Sequence, residues 1–506
     1  MGNHLFDAIR ASATSDDAIF IETASGERWT YGDALRISGQ LASAIDALGV
    51  RPGDRVAVQV EKSPMALMLY LACVRCGAVY LPLNTAYTLA ELDYFIGDAE
   101  PRLVVVSPKA RAEVEKLAQR YGAIVETLDA DGAGSLTDLA REEPADFIDA
   151  ARAPDDLAAI LYTSGTTGRS KGAMLTHGNL LSNALALREY WRVTADDRLI
   201  HALPIFHTHG LFVATNVTLV AGASMFLLPK FEPGEILSLM PKATLMMGVP
   251  TFYVRLLQHG GLNQDAVANM RLFISGSAPL LTETHVSFKQ RTGHAILERY
   301  GMTETNMNTS NPYDGERRAG TVGFPLPGIT VRITDPATSA TLSPEETGMI
   351  EIKGPNVFKG YWRMPEKTAA EFTQDGYFIS GDLGKIDGDG YVHIVGRGKD
   401  LVISGGYNIY PKEVENEIDQ LDGVVESAVI GVAHPDFGEG VTAVVVLQRG
   451  VILDEKAVLA ALQDRLARYK QPKRIIFTEE LPRNTMGKVQ KNLLRDQFKD
   501  LYEKAS

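Results

Sequence analysis

The feature that most constrains this chain is a rhythm in its first three hundred residues. Short apolar runs alternate with stretches of helical periodicity. RVAVQV (55–60) reads as a strand, SPMALMLYLACVRCGA (63–78) as an apolar helix and VYLPLN (79–84) as an extended segment. TLAELDYFIGDA (88–99) reads as a helix and RLVVVS (102–107) as a strand, and the pattern continues through DRLIHALP, TLMMGVP and MRLFISGSAPL. Strands that alternate with helices form βαβ units on a parallel sheet, so an α/β fold is expected. In such open sheets ligands collect at the carboxyl ends of the strands. Three polar clusters, TSGTTG, HTHG and SGSAP, fall at such ends.

After residue 320 the texture changes to short segments with Gly and Asp turns, GMIEIKG, GYFISGDLGKID and GYVHIVGRGKD, as in a β-rich subdomain. From about residue 400 helices and strands mix over roughly a hundred residues, enough for a small α+β domain. Its predicted boundary is the Gly396-Arg397-Gly398-Lys399-Asp400 stretch. The expected organisation is a large domain over 1–398 and a small mobile one over 399–506. A chain of 506 residues is longer than one core usually organises, which agrees.

Composition excludes some function classes. A net charge of −13 leaves no basic footprint for nucleic acid, so any anionic substrate must be met by local Arg and Lys. No run of 18 apolar residues predicts a membrane span, and the N-terminus lacks a secretory pattern. Phe6 stands where a myristoylation signal needs Ser or Thr. A cytoplasmic location is expected. The two cysteines, Cys73 and Cys76, have C-x-x-C spacing, but their flanks are apolar and no second pair exists. Structural packing is the expected reading, with redox chemistry the alternative.

The stretch Thr163-Ser164-Gly165-Thr166-Thr167-Gly168-Arg169-Ser170-Lys171-Gly172 gathers glycines, hydroxyls and cations in the manner of a phosphate cradle. A Walker A loop needs its lysine directly after the second glycine. Here Ser170 precedes Lys171, so a P-loop NTPase is not expected. Further clusters follow in order: Glu298-Arg299-Tyr300-Gly301-Met302-Thr303-Glu304, then Ser380-Gly381-Asp382, then Ser404-Gly405-Gly406, and finally Pro482-Arg483-Asn484-Thr485-Met486-Gly487-Lys488.

In this order and spacing the clusters resemble the adenylate-forming enzymes, which include acyl-CoA synthetases, peptide-synthetase adenylation domains and firefly-type luciferases. The resemblance runs from about residue 20 to 495. It implies a large adenylation domain with a small C-terminal domain that rotates between two half-reactions. A carboxylate attacks the α-phosphorus of ATP, and coenzyme A then expels AMP. On matching positions, Thr163, Ser164, Gly165, Thr166, Thr167, Gly168 and Lys171 wrap the β- and γ-phosphates. Gly276, Ser277, Ala278 and Glu298 to Met302 line the adenylate site, with Tyr300 on the adenine. Thr303 touches the α-phosphate, Glu304 holds Mg²⁺, and Asp382 with Arg397 takes the ribose. Lys399 is the hinge and Ser404, Gly405 and Gly406 face the pantetheine arm. Lys488 bridges the reacting carboxylate and the α-phosphate. Acetylation of Lys488 by a lysine acetyltransferase would remove that charge.

The acid is written in the acyl pocket. His207, Thr208, Ser277 and Arg299 replace the apolar wall that a fatty or aryl acid needs. A cation among small polar groups points to a second carboxylate on the substrate. Arg299 could instead pair with Glu298, and His207 with His209 could ligate a metal, although no third ligand is evident. The strings LPIFHTHGLFVA, GVPTFY and ERYGMTETNMNTSNPYDGERRAGTVG are similar to those of bacterial malonyl-CoA synthetases. That resemblance implies malonate, with methylmalonate as a second substrate. It puts Arg299, Ser277 and Arg255 on the distal carboxylate, His207 on the reacting one or the thiol path, and Thr208 and Met307 beside C2. Alternatives are a ligase for another short or aryl acid, luciferase-type oxidation, and a carrier-protein-loading or non-catalytic binding module.

Overall fold

A computed structural model of the chain describes residues 2–163, 170–405, 407–463, 465–484 and 487–502. Its α/β architecture is the expected one. The chain groups into two compact units: residues 1–330 with 352–378, and residues 331–351 with 379–506.

Among the described residues the first unit holds two large sheets. The parallel heart of one is Val79–Pro82, Arg55–Gln59, Leu103–Val106 and Ile124–Thr127, in that spatial order. Leu157–Thr163 joins the Val79 edge in parallel, and Lys171–Thr176 follows it antiparallel. All four residues of Val79–Pro82 and of Leu103–Val106 are buried, as in sheets covered on both faces. The helix Pro64–Cys76 forms because Ser63 caps it, accepting from the Ala66 N–H, and Pro64 presets its first turn. It ends at Gly77, whose φ of 71° lies in the left-handed region. Apolar on every side, it buries all eleven residues from Ala66 to Cys76. Cys73 and Cys76 are therefore core residues, and burial pushes both thiols up, Cys76 to about 12. They are free, and no thiolate chemistry is available to them.

The second sheet runs Leu297–Met302, Leu272–Ser275, Leu245–Gly248, Arg198–His201, Ser224–Leu227 and Ile19–Thr23 in parallel. Asn306–Ser310 and Arg28–Thr30 add antiparallel neighbours at its two sides. From Arg198–His201 the chain passes to one side of the sheet, and from Leu245–Gly248 to the other. The crevice at their carboxyl ends is a topological switch point, the usual ligand position in such a fold.

The second unit holds most of a four-stranded sheet in which Phe378–Ile386 and Val392–Arg397 pair antiparallel. It also holds a sheet centred on the long pair Val424–His434 and Gly438–Leu447. Pro411–Asp419 and Glu455–Leu462 pack their apolar residues onto the latter. The second of these helices starts where Asp454 caps it, accepting from the Ala457 N–H, and ends at Leu462. No described helix is long and apolar enough to cross a membrane.

One buried ion pair fastens the first unit. Arg75, 4% exposed, bonds Asp149 at 2.6 Å, the Leu35 carbonyl at 2.6 Å and Ser38 Oγ at 3.0 Å. Asp149 also meets Arg10, so removing Arg75 leaves a buried carboxylate only half compensated. Arg75→Ala is expected to cost about 3 kcal/mol, the low end for a broken buried pair. The check is the urea midpoint at unchanged slope; a loss below ~1 kcal/mol would mean the pair is dispensable.

Candidate active site

The carboxyl ends of the second sheet gather the predicted acyl-pocket residues. Leu272–Ser275 runs into Gly276 and Ser277, and Ser277 adopts a φ of 72°, which is rare for a residue with a side chain. That conformation brings Ser277 Oγ to 3.2 Å from His209 Nδ1. Arg299, on the neighbouring strand Leu297–Met302, is only 3% exposed. Its Nε and Nη2 are enclosed and bond to no protein group. Burial lowers its pKa to about 9, with Tyr253 and Glu298 only partly opposing the shift. The guanidinium lies against Gly276: a Cβ built there would sit 2.4 Å from Arg299 Cζ. Only glycine leaves room for the arginine in this position.

His209 is 2% exposed, and its Nε2 has no partner. Burial, together with the charge of Arg299 and the neighbouring His201 and His207, holds its pKa well below the usual histidine range. His209 therefore serves as a neutral imidazole. Thr208 is buried with its Oγ unpartnered, and His207 keeps partial exposure beside Phe206. The HTHG stretch leads into a π-helix, His209–Thr215, a wide turn that the sequence did not reveal. Met307 is buried, its backbone held by Asn183. Arg255 stands apart from this cluster in its contacts. It is exposed on the helix Pro250–Gln258, over the Phe231 ring and 3.9 Å from Glu232.

Glu298 is buried and accepts from the Leu280 N–H, while Ala278, Tyr300, Gly301 and Met302 keep partial exposure. Thr303 and Glu304 occupy the tight turn between Leu297–Met302 and Asn306–Ser310, closed by the Thr305 N–H on the Met302 carbonyl. The Glu304 carboxylate is buried and accepts from the Tyr361 hydroxyl at 3.0 Å. Tyr361 is also 2.6 Å from Glu371, which in turn pairs with Lys171 at 3.2 Å and Lys367 at 2.7 Å. Burial pushes the Glu371 carboxyl up, but Lys367, Tyr361 and Lys171 bring it net below the usual range. Lys171 Nζ also sits 4.0 Å from the centre of the Tyr361 ring. Neither Tyr361 nor Glu371 was singled out from the sequence. Gly360–Tyr361 is a two-residue strand added beside Lys171–Thr176, a pairing across nearly two hundred residues that no local pattern announces.

Ser164, Gly165, Thr166, Thr167 and Gly168 lie outside the described residues. Their flanks are informative. Thr163 ends one strand, Lys171 begins the next, and the two are antiparallel partners. A Walker A loop instead joins a strand to a helix, so the topology agrees with the lysine register in setting that motif aside.

In the second unit, Asp382 and Arg397 are cross-strand partners, joined from Nε to Oδ1 at 2.7 Å. Lys399 lies in the short helical turn Gly398–Asp400, and burial lowers its pKa. Ser404 ends the strand Val402–Ser404, and Gly405 has a φ of 59° and donates to the Phe437 carbonyl. Gly406 lies outside the described residues. Lys488 is exposed, its backbone bracketed by Asn484, whose Oδ1 accepts from the Lys488 N–H at 3.0 Å. Among the described residues no group of three or more His, Cys, Asp or Glu could hold a metal ion.

Comparison with known proteins agrees across the length of the chain. The family described as AMP-binding enzyme matches residues 8–362, and the AMP-binding enzyme C-terminal domain matches 413–488. The crystal structure of ATP-bound MatB from Rhodopseudomonas palustris is 62% identical, with a TM-score of 0.98, over 99% of this chain and 100% of that one. A feruloyl-CoA synthase of Amycolatopsis is 39% identical over 94% of both chains. A malonate–CoA ligase of Arabidopsis thaliana is 34% identical over 97% of this chain and 90% of its own.

The Gly276 contact yields a test. Gly276→Ala should drive the Arg299 guanidinium from its place and raise the KM for the acid at least about tenfold, the equivalent of one lost charge-assisted hydrogen bond. Steady-state kinetics beside a crystal structure of the variant would decide it; an unmoved arginine refutes the steric argument.

Proposed function

The chain belongs to the AMP-binding enzyme family, and within it we propose that malonate is the acid joined to coenzyme A. The protein is an AMP-forming acid–thiol ligase. The proposed overall reaction is malonate + ATP + CoA → malonyl-CoA + AMP + pyrophosphate. The observation that carries the choice of acid is Arg299, a buried guanidinium with two unengaged nitrogens beside Ser277 and His209.

A buried cation is costly unless an anion meets it. A dicarboxylate supplies that anion while keeping its second carboxylate for chemistry. A feruloyl-type acid would bring an aromatic ring to the same place and leave the guanidinium unmatched. The name of the Arabidopsis relative favours malonate, and that of the Amycolatopsis relative favours an aryl acid. Arg299 supports the first. Thr208 and Met307 border C2 in this reading, so a single methyl there is the substituent to test. Arg255 is kept as an outer contact for the acid.

In the first half-reaction an oxygen of the near carboxylate, oriented by His207, attacks the α-phosphorus, and the bond to pyrophosphate breaks. Both reactants are anions, so most of the catalytic burden is charge neutralisation and positioning. Lys171 supplies charge for the departing pyrophosphate and Lys488 for the α-phosphate and the attacking oxygen. Thr303 donates to the α-phosphate, and Asp382 with Arg397 takes the ribose. A buried carboxylate such as Glu304 suits a hard cation that is held partly by substrate phosphates, and Mg²⁺ there would neutralise the polyphosphate. In the second half-reaction the thiol sulfur of coenzyme A attacks the acyl carbon, AMP leaves, and the thiol proton passes to solvent. Ser404, Gly405 and Gly406 are proposed to face the pantetheine arm, and Lys399 to be the hinge between the two steps. Acetylation of Lys488 would remove the adenylation charge. A cytoplasmic setting suits the two reduced cysteines.

CoA-dependent AMP release should be fastest with malonate in a panel that includes methylmalonate, succinate, acetate and a cinnamate. Acetate or cinnamate outpacing malonate would overturn the proposal. Arg299→Ala should raise the malonate KM by more than about a hundredfold, or abolish turnover, while ATP still binds. For Lys488→Ala the two half-reactions should part: pyrophosphate release is lost, yet thioester still forms from supplied malonyl-adenylate. Normal pyrophosphate release in that variant would remove Lys488 from the chemistry.

A further inference from the structure

Lys62 is a charged residue that neither half-reaction uses, and its surroundings are unusual. It follows the strand Arg55–Gln59 of one large sheet and reaches the carboxyl end of Arg198–His201 in the other. Its ammonium lies 2.9 Å from His201 Nδ1, 2.8 Å from the His201 carbonyl and 2.8 Å from the Leu203 carbonyl. All three contacts are neutral. The residue keeps some exposure along its length, but burial of the ammonium pushes its pKa well below the ordinary lysine range.

The partners settle the tautomer of His201. Its Nε2 faces the Gly210 carbonyl at 2.9 Å, which can only accept, so Nε2 carries the hydrogen. Nδ1 is then a lone pair, and all three contacts of Lys62 are acceptors, which favours the protonated amine against the pull of burial. Thr215 Oγ donates to the same Gly210 carbonyl at 3.0 Å. Gly210 in turn is packed on the chain that precedes it: a Cβ there would fall 2.0 Å from the Pro204 carbonyl. A continuous chain of hydrogen bonds thus runs from Lys62 through His201 to the first turn of the π-helix. It holds both ends of the segment 203–210, which carries His207, Thr208 and His209. Nothing in this arrangement is needed to close the sheet, because His201 already pairs through its backbone with Leu227 and Met247.

We propose that Lys62, acting through His201, is a positioning residue for acid binding: it sets the 203–210 segment against Ser277 and Arg299. This rests on the acid-site reading given above. It also implies that the acid pocket is tied to both large sheets, with Lys62 as the tie.

The test compares Lys62→Met, Thr215→Val and Arg299→Ala with the parent enzyme, measuring KM for malonate, KM for ATP, kcat and the thermal midpoint. Lys62→Met should raise the malonate KM at least about tenfold with the ATP KM changed less than about twofold. Thr215→Val, a milder cut in the same chain, should raise the malonate KM about threefold. It stands in for Lys62→Met if that variant does not fold. A proportional rise in both KM values would mark a general structural role and overturn the proposal, as would an unchanged malonate KM in both chain variants. Loss in Arg299→Ala with no effect of Lys62→Met or Thr215→Val refutes the positioning role alone. A neutral Arg299→Ala removes the acid-site reading and the proposal with it.

Discussion

A guanidinium enclosed by protein with no carboxylate bonded to it is the constraint around which the first unit is arranged. Arg299 is buried, two of its nitrogens are unengaged, and burial pulls its pKa down to about 9. A lone buried cation has a high desolvation cost and is retained where something outside the chain completes it. The neighbours conform to that charge. His209 is kept neutral by burial and by Arg299 itself, Ser277 accepts a left-handed backbone to reach His209, and position 276 has no side chain. Each of these is a local cost, and together they enclose a positive charge that, on the proposed reading, a second carboxylate of the substrate meets.

The cluster around Tyr361 has the opposite balance of charge. Glu304 and Glu371 are carboxylates gathered around one tyrosine hydroxyl, and Lys171 and Lys367 supply the balancing charge. Lys171 is thereby held in place by a partly buried carboxylate, which on the proposed reading sets its charge before the phosphates bind. Preorganisation of this kind reduces the reorganisation required at the moment of reaction.

Much of this was legible in the sequence, for physical reasons. Continuous apolar runs ending in polar clusters mark parallel strands, and of those clusters HTHG and SGSAP do follow the carboxyl ends of Arg198–His201 and Leu272–Ser275. The apolar flanks of Cys73 and Cys76 marked a buried helix, and they lie in one. What could not be read was whatever depends on distant pairing. Lys62 meets His201 across 139 positions and Lys171 meets Glu371 across 200, and neither partner carries a local signal. The π-helix at His209–Thr215 escaped because apolar periodicity does not separate a wide turn from an α-helix over seven residues. Arg255 was expected to join Arg299 on the distal carboxylate, yet it is exposed on the helix Pro250–Gln258. The difference between them is a matter of which strand or helix face each occupies.

The fit of Arg299 against Gly276 has a further consequence for how such an enzyme can change over time. A larger residue at 276 cannot coexist with the arginine in its present place, and the space becomes available only when the guanidinium has moved or gone. Losing the arginine alone opens a void lined by polar atoms, and filling 276 alone displaces the charge. If Arg299 meets the acid tail as proposed, a lineage moving from a charged tail to an apolar one must pass through a poor intermediate or change both positions together. Among descendants of a common ancestor the two positions should covary, and acid preference should shift in jumps rather than by drift.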